Sequence, residues 1–296
     1  MLIRVDVAAI HVGDCMTVRG TPLLVRLDTG LFRPRLGIPG FDVVGHIVSV
    51  GAKVTDFKLG ERVFGVVRGG CAEFAVGNAK ELAPCPTSLS DHQAAALPTS
   101  GLAALHALRD VGKVGAGDQI LINGASGAVG GYAVQIAKSL GANVTGVCSA
   151  RNAELVRNLG ADDVVDYEST DFTRLSQQFD VVLDNVENRS LAECRRIVAP
   201  QGTLILNSGT GARGFRFLVR LLKPLILSPF TRQRLRRYLS TPNREDLLRL
   251  AEMALDGRLY VTIDRRVTLG ETSVGLRYIE TGRAHGKVLV EVAAST

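Results

Sequence analysis

"LINGASGAVGGYAVQIAK", residues 121–138, opens as an apolar strand, turns through glycine, alanine and serine, and ends with apolar residues at helical spacing. Small residues at Gly124, Gly127 and Gly130 let the backbone approach a pyrophosphate, and the helix that follows offers unpaired N–H donors at its positive end. The stretch predicts a dinucleotide-binding turn in which Gly124, Gly127 and Gly130 line the phosphate. Ala125 stands where G-x-G-x-x-G has its first glycine. A tight helix–sheet packing turn uses the same residue types, so the neighbouring segments have to decide between the two.

Those neighbours alternate. From about residue 99, "QILING", "GYAVQIAKSLG", "NVTGVCS", "NAELVRNLG", "DDVVDY", "FDVVLDNV", "SLAECRRIVA" and "GTLILNSG" run strand, helix, strand, helix. Apolar strands separated by helices predict a doubly wound parallel sheet, the Rossmann architecture. Before it, "MLIRVDVAAI", "DVVGHIVSVG", "ERVFGVV" and "CAEFAV" are short β-rich runs punctuated by glycine and proline, which predict a β-barrel-like domain. After the helical "REDLLRLAEMALDG", strands return at "VTIDRRVTL" and "GKVLVEV". The expected division is 1–98 with 258–296 for the first domain and 99–257 for the second.

A chain of 296 residues with 46% hydrophobic content can build two cores. No apolar run reaches the roughly 20 residues that span a bilayer, and the amino terminus lacks a signal-peptide pattern, so a cytoplasmic protein is expected. The five cysteines are scattered with no C-x-x-C pair, which argues against a disulfide framework or zinc ribbon. The formal charge of +6 is not organised as basic blocks interleaved with aromatics, and no nucleic-acid partner is expected.

Cofactor choice turns on the second strand of the alternating region. A site for the unphosphorylated dinucleotide ends that strand with Asp or Glu, which binds the ribose hydroxyls. Here "TGVCSARNAEL" supplies Ser149, Arg151 and Asn152 instead, a hydroxyl, a cation and an amide that accommodate a ribose 2′-phosphate. NADPH is the predicted cofactor.

"GASGAVG", "GVCSARNAELVRNLGADDVVDY", "VVLDNVENRSL", "GRAHGKVLVEV" and the earlier "IPGFDVVGHIVSVGAKVTDFKLGERVFG" together resemble the zinc-free quinone-oxidoreductase branch of the medium-chain dehydrogenases/reductases. The resemblance covers nearly the whole chain. It implies an α/β protein with a GroES-like β-barrel catalytic domain, interrupted by a Rossmann domain, with NADPH in the cleft between them. By carry-over, Ser126, Gly127, Ala128 and Val129 hold the pyrophosphate, while Ser149 and Tyr167 contact the 2′-phosphate. A small hydrophobic electrophile is the implied substrate, and a homodimer is expected.

Catalytic zinc needs three protein ligands and an open position. The positions matching the metal-dependent branch are His11 and "GFD", where Phe41 cannot bind metal and only His11 and Asp42 remain, so no metal is expected. His11 falls where similar proteins carry a polar group near the nicotinamide. Its unperturbed pKa near 6.5 suits a proton donor at neutrality, and a hydrogen-bonded structural histidine is the competing expectation.

Three departures bear on activity. The barrel is expected to be amino-terminally short, because similar proteins carry further residues before "MLIRVDVAAI". The tyrosine common after "RG" is missing from "RGTPLLVRLDTG", and Ala103 stands where a threonine often lies. In the basic apolar segment 213–239, Phe215, Leu218, Leu221, Leu222 and Leu225 follow helical spacing. A core or subunit-contact helix is expected there, ahead of a substrate lid or a peripheral membrane contact. The predicted function is NADPH-dependent, metal-free reduction of a quinone, enone or related carbonyl compound; the alternative is a catalytically impaired NADPH-binding protein with a sensing or assembly role.

Overall fold

The computed structural model describes residues 1–21, 26, 37–207, 222–224 and 226–292. Most of "RGTPLLVRLDTG" and most of the amphipathic helix expected around Phe215–Leu225 therefore lie outside the described residues. Two compact units are present, Met1–Leu102 with Thr241–Thr296, and Ala103–Ser240.

The first unit is built on a seven-stranded sheet. Its strands are β1 (Leu2–Ile10), β2 (Asp42–Ser49), β3 (Arg62–Val66), β4 (Phe74–Val76), β5 (Leu82–Pro84), β12 (Ile263–Thr268) and β13 (Lys287–Glu291). The order is β12-β13-β1-β2-β3-β5, with β4 also paired to β1. Pairing is antiparallel except between β12 and β13. Burial along β1 shows how the sequence produces this layer. Its first half alternates, with Ile3 and Val5 buried around the exposed Arg4, whereas Val7 to Ile10 are all buried. The change arises because the alanine-rich helix α2 (Asp91–Ala96) packs on β1 and β2, and only small side chains allow so close an approach. Ile3, Ile10, Val43, Ile47, Val63 and Val288 form the centre of this core. Helix α1 (Val12–Arg19) follows β1 directly and contacts α8 (Thr272–Glu280), and α3 (Pro98–Leu105) follows α2 in the chain.

The second unit is a six-stranded parallel sheet of β6 (Gln119–Asn123), β7 (Asn143–Cys148), β8 (Asp163–Asp166), β9 (Phe179–Asp184), β10 (Val198–Leu206) and β11 (Arg234–Arg237). Strand order is β11-β10-β9-β6-β7-β8. Read from the other edge this is the doubly wound order of a Rossmann domain, whose direction reverses between β6 and β9. Helix α4 (Ala128–Ser139) packs on β6 and β7, α5 (Ala153–Asn158) on β7 and β8, and α6 (Leu191–Arg196) on β10. Leu121, Val147, Phe172, Phe179, Val182 and Leu204 lie at the centre of the core.

The observed unit boundaries, 102/103 and 240/241, differ from the expected 98/99 and 257/258. Helix α7 (Arg244–Leu255) accounts for most of the difference. Its Leu250 side chain lies against Gly101, its Arg244 guanidinium stacks 4.5 Å from the Phe57 ring centroid, and the helix packs on β5, all within the first unit. Helical periodicity in a sequence fixes which face is apolar but not which core receives it.

Candidate active site

The glycine turn sits at the carboxyl end of β6. Gly124 adopts φ +79°, a left-handed conformation that side-chain-bearing residues avoid. Its successor Ala125 is fully buried and donates its N–H to Val147 O at 3.0 Å, so the special backbone position lies one residue ahead of the usual first glycine. Gly127 is the N-cap of α4 and brings no side chain to cap it. The first-turn amides of Ala128, Val129 and Gly130 therefore surround a helix start with no side chain over it, an arrangement that suits a pyrophosphate. A Cβ on Gly130 would lie 2.0 Å from the Gly124 carbonyl oxygen, so this glycine is required by close packing of helix on turn.

The carboxyl end of β7 carries the adenosine-side candidates. Ser149 is 4% exposed, directly after the strand, and Ala150–Asn152 form a 3-10 turn. Arg151 is exposed and has no hydrogen-bond or ion-pair partner among the described residues. Tyr167 follows β8, is 44% exposed, and donates its backbone N–H to Cys148 O at 3.1 Å; the Cys148–Asp166 register places Ser149 and Tyr167 at adjoining strand ends. Asn152, the third residue expected at the 2′-phosphate, has a partner within the second unit. Its side-chain amide donates to the Ser126 hydroxyl at 3.1 Å, tying the loop after β7 to the glycine turn.

A polar cluster that belongs to none of the sequence motifs occupies the switch point between β6 and β9. Asn123 Nδ2 donates to Asp184 Oδ1 at 2.8 Å, joining the last residues of the two strands. The same oxygen accepts from Glu187 N at 2.8 Å and Val186 N at 3.1 Å. Asn185 Nδ2 donates to Asn123 O at 3.1 Å, and Asn207 Nδ2 to Asn185 Oδ1 at 2.8 Å, which extends the network to the end of β10. Glu187 holds φ +55° and is gripped by both terminal nitrogens of Arg237, at 3.0 and 2.6 Å. Burial pushes the Asp184 carboxyl above its ordinary value despite three N–H donors. The Asp–Asn pair at the end of "VVLDN" was the available signal, but its partners are remote in sequence.

In the first unit, His11 directly follows β1 and is the N-cap of α1. Its Nδ1 accepts from Gly13 N at 2.9 Å, while the His11 backbone N–H donates to Asp14 Oδ2 at 2.8 Å, a reciprocal capping box. With Nδ1 accepting, a neutral ring carries its proton on Nε2. That atom is buried and has no partner among the described residues. The ring stacks on Phe41 with centroids 5.2 Å apart. Asp14 is fully buried, accepts from Gly40 N at 2.5 Å, and has its carboxyl pushed upward by burial. One ring nitrogen thus serves the helix cap, and the other has no partner among the described residues.

Asp42, weighed in the sequence only as a metal ligand, forms a buried ion pair with Lys287. Nζ and Oδ2 are 2.7 Å apart and both side chains are at most 1% exposed. The other carboxylate oxygen accepts from Thr99 N at 3.0 Å and from the Thr99 hydroxyl. Among the described residues no group of three His, Cys, Asp or Glu side chains is placed to hold a metal. Burial raises the thiols of Cys15, Cys85 and Cys148 to about 11 and that of Cys71 to about 12, so none of these is poised as a thiolate.

A dinucleotide turn at the carboxyl edge of a parallel sheet, on a chain whose second sheet begins and ends the sequence, defines a nicotinamide-dependent oxidoreductase. The chain belongs to the quinone-oxidoreductase branch of the medium-chain dehydrogenase/reductase superfamily. Residues 1–133 match the family described as "Alcohol dehydrogenase GroES-like domain", and residues 159–290 match "Zinc-binding dehydrogenase". The chloroplast envelope quinone oxidoreductase homolog of Arabidopsis thaliana is 32% identical over 94% of this chain and 89% of its own. The mitochondrial NAD(P)H oxidoreductase RTN4IP1 of Bos taurus is 38% identical over 62% of this chain and 48% of its own. The solved quinone oxidoreductase of Coxiella burnetii superposes with a TM-score of 0.86 at 28% identity, covering 99% of this chain and 90% of that one. No helix among the described residues is long and apolar enough to cross a membrane.

Proposed function

We propose that the protein is an NADPH-dependent, metal-free reductase of a quinone or an electron-poor enone. The observation that carries the cofactor assignment is the end of β7, where buried Ser149 and exposed Arg151 stand in place of an acid. The reduced nicotinamide supplies a hydride when bound. The chain's own residues divide the remaining work. The backbone of Ser126–Val129 and the start of α4 hold the pyrophosphate, with Gly124, Gly127 and Gly130 keeping side chains out of the way. Ser149, Arg151 and Tyr167 hold the 2′-phosphate, and Asn152 keeps their loop against the turn. His11 Nε2–H stabilises and protonates the substrate oxygen on which negative charge develops. At the position where a metal-dependent relative needs a ligand, Phe41 stacks on His11, which supports chemistry without zinc.

The test is a pair of measurements. Calorimetric titration is expected to show NADPH binding about tenfold tighter than NADH or better, because each charge-assisted contact to the extra phosphate contributes roughly 1.5–3 kcal/mol. Ser149→Ala and Arg151→Ala should each narrow that difference; equal affinities in the native chain would remove the assignment. Oxidation of NADPH is then followed with quinones and enones, with and without chelator. Binding without turnover on any acceptor would favour the sensing or assembly role. The expected homodimer and cytoplasmic location remain part of this proposal and are checked by sedimentation and cell fractionation.

A further inference from the structure

From Arg195 through Arg244 the chain has eleven basic residues and no acidic ones, so the rest of the chain carries a formal charge of −5 against the overall +6. Arg195, Arg196 and Arg232 of this stretch lie at the amino-terminal edge of the parallel sheet, opposite the edge that bears the glycine turn. There the end of α6, the start of β10 and the segment before β11 enclose a shallow groove of about 480 Å³ lined by Arg195, Arg196, Arg232 and Phe230. A second hollow of about 320 Å³ shares Arg232 and adds Arg234 and Arg236. None of these five arginines has a carboxylate partner among the described residues. The groove floor is built. Gln233 Nε2 donates to Arg195 O at 2.9 Å and Val198 O at 2.8 Å, while its Oε1 accepts from Arg195 Nε at 2.9 Å. This fixes the Arg195 guanidinium, whose terminal nitrogens have no partner among the described residues.

Apolar side chains line the same groove. Phe230 is 83% exposed, and Ala192 and Pro200 are exposed beside it. Arginines alone would suit any polyanion. Arginines with no paired carboxylate among the described residues, beside exposed aromatic and aliphatic side chains, suit a surface that is anionic outside and apolar just beneath.

We propose that this face docks the protein on a bilayer containing anionic phospholipid, with the arginines at the headgroups and Phe230 and its aliphatic neighbours inserted between them. Docking there leaves the carboxyl edge of the sheet, with the dinucleotide turn, facing away from the lipid. Apolar quinones partition into bilayers, so the surface would bring the enzyme to a store of such substrates.

The experiment is sedimentation of the full chain with phosphatidylcholine vesicles and with vesicles that also contain phosphatidylglycerol, at low and physiological salt. Binding to the anionic vesicles alone, weakening as salt rises, is expected. Arg196→Ala with Arg232→Ala should weaken it on the order of thirtyfold, from the loss of two cations near a charged membrane surface. Phe230→Ser should remove the part of the binding that resists salt. Unchanged melting temperature and NADPH affinity in these variants show that they are folded, independently of whether the quinone assignment holds. No sedimentation with anionic vesicles, binding indifferent to salt or to the arginine pair, or tighter binding to duplex RNA than to the vesicles would each overturn the proposal.

Discussion

Asn152 donates its side-chain amide to the Ser126 hydroxyl across 3.1 Å and joins the loops that follow two neighbouring strands. One loop carries the glycine turn and the other carries Ser149 and Arg151. Their spacing therefore depends on this bond. A net contribution of about 1 kcal/mol for a neutral hydrogen bond corresponds to roughly a fivefold change in affinity. Asn152→Ala is expected to weaken NADPH binding by about that factor, and Ser126→Ala by a similar one. The double variant should lose little more than either single change, since both remove one bond. Calorimetry on the three variants checks this, and additive losses would mean that the residues act separately.

His11 separates a structural from a chemical role at its two ring nitrogens. His11→Ala removes the acceptor for Gly13 N and should cost about 0.5–2 kcal/mol in denaturant unfolding, the usual range for a lost N-cap. His11→Asn restores an acceptor at the cap and should recover most of that stability. Turnover should fall by about 10²- to 10⁴-fold in both, because neither provides the Nε2–H donor. NADPH affinity should change little. Full turnover in a stable His11→Asn variant would assign the proton to solvent or another group.

The Asp42–Lys287 pair is buried with its partners, so removing one member strands a charge. Lys287→Met alone is expected to cost about 3–5 kcal/mol. Asp42→Asn combined with Lys287→Met leaves no charge there and should recover most of the loss. Urea unfolding of the single and double variants measures the difference.

Asp184 gives a dependence on pH with a definite sign. Burial raises its pKa above the unfolded value of 3.8, so the folded state holds the proton more tightly and the Asp184 contribution to stability falls as pH rises through the folded value. Asp184→Asn keeps an oxygen for Asn123 Nδ2, Val186 N and Glu187 N but cannot ionise. The stability of Asp184→Asn relative to the native chain should increase with pH across that window and level off above it. Unfolding curves at a series of pH values test this, and a constant difference would show that Asp184 does not titrate there.

Much of the architecture was legible in the chain because it is written in local patterns. Alternation of apolar residues marked β1, β2, β12 and β13, and the strand–glycine–helix succession at residues 119–139 marked the dinucleotide turn. Helix α1 was not legible: its cap is a histidine, and its eight residues carry little apolar periodicity. Nor was the short strand β11, whose four residues are three arginines and one leucine.

By itself the sequence determined the two kinds of sheet, the glycine turn at Gly124–Gly130 and the absence of an acid after β7, since each rests on residues close together in the chain. Only the tertiary structure decided which polar groups share a buried site. Asn123 meets Asp184 across 61 positions, and Lys287 meets Asp42 across 245. It also assigned Asn152 to Ser126 rather than to solvent, and helix α7 to the first unit. The physical reason is that periodicity records whether a face is apolar, whereas a buried polar group must find its partner wherever the strand order brings one.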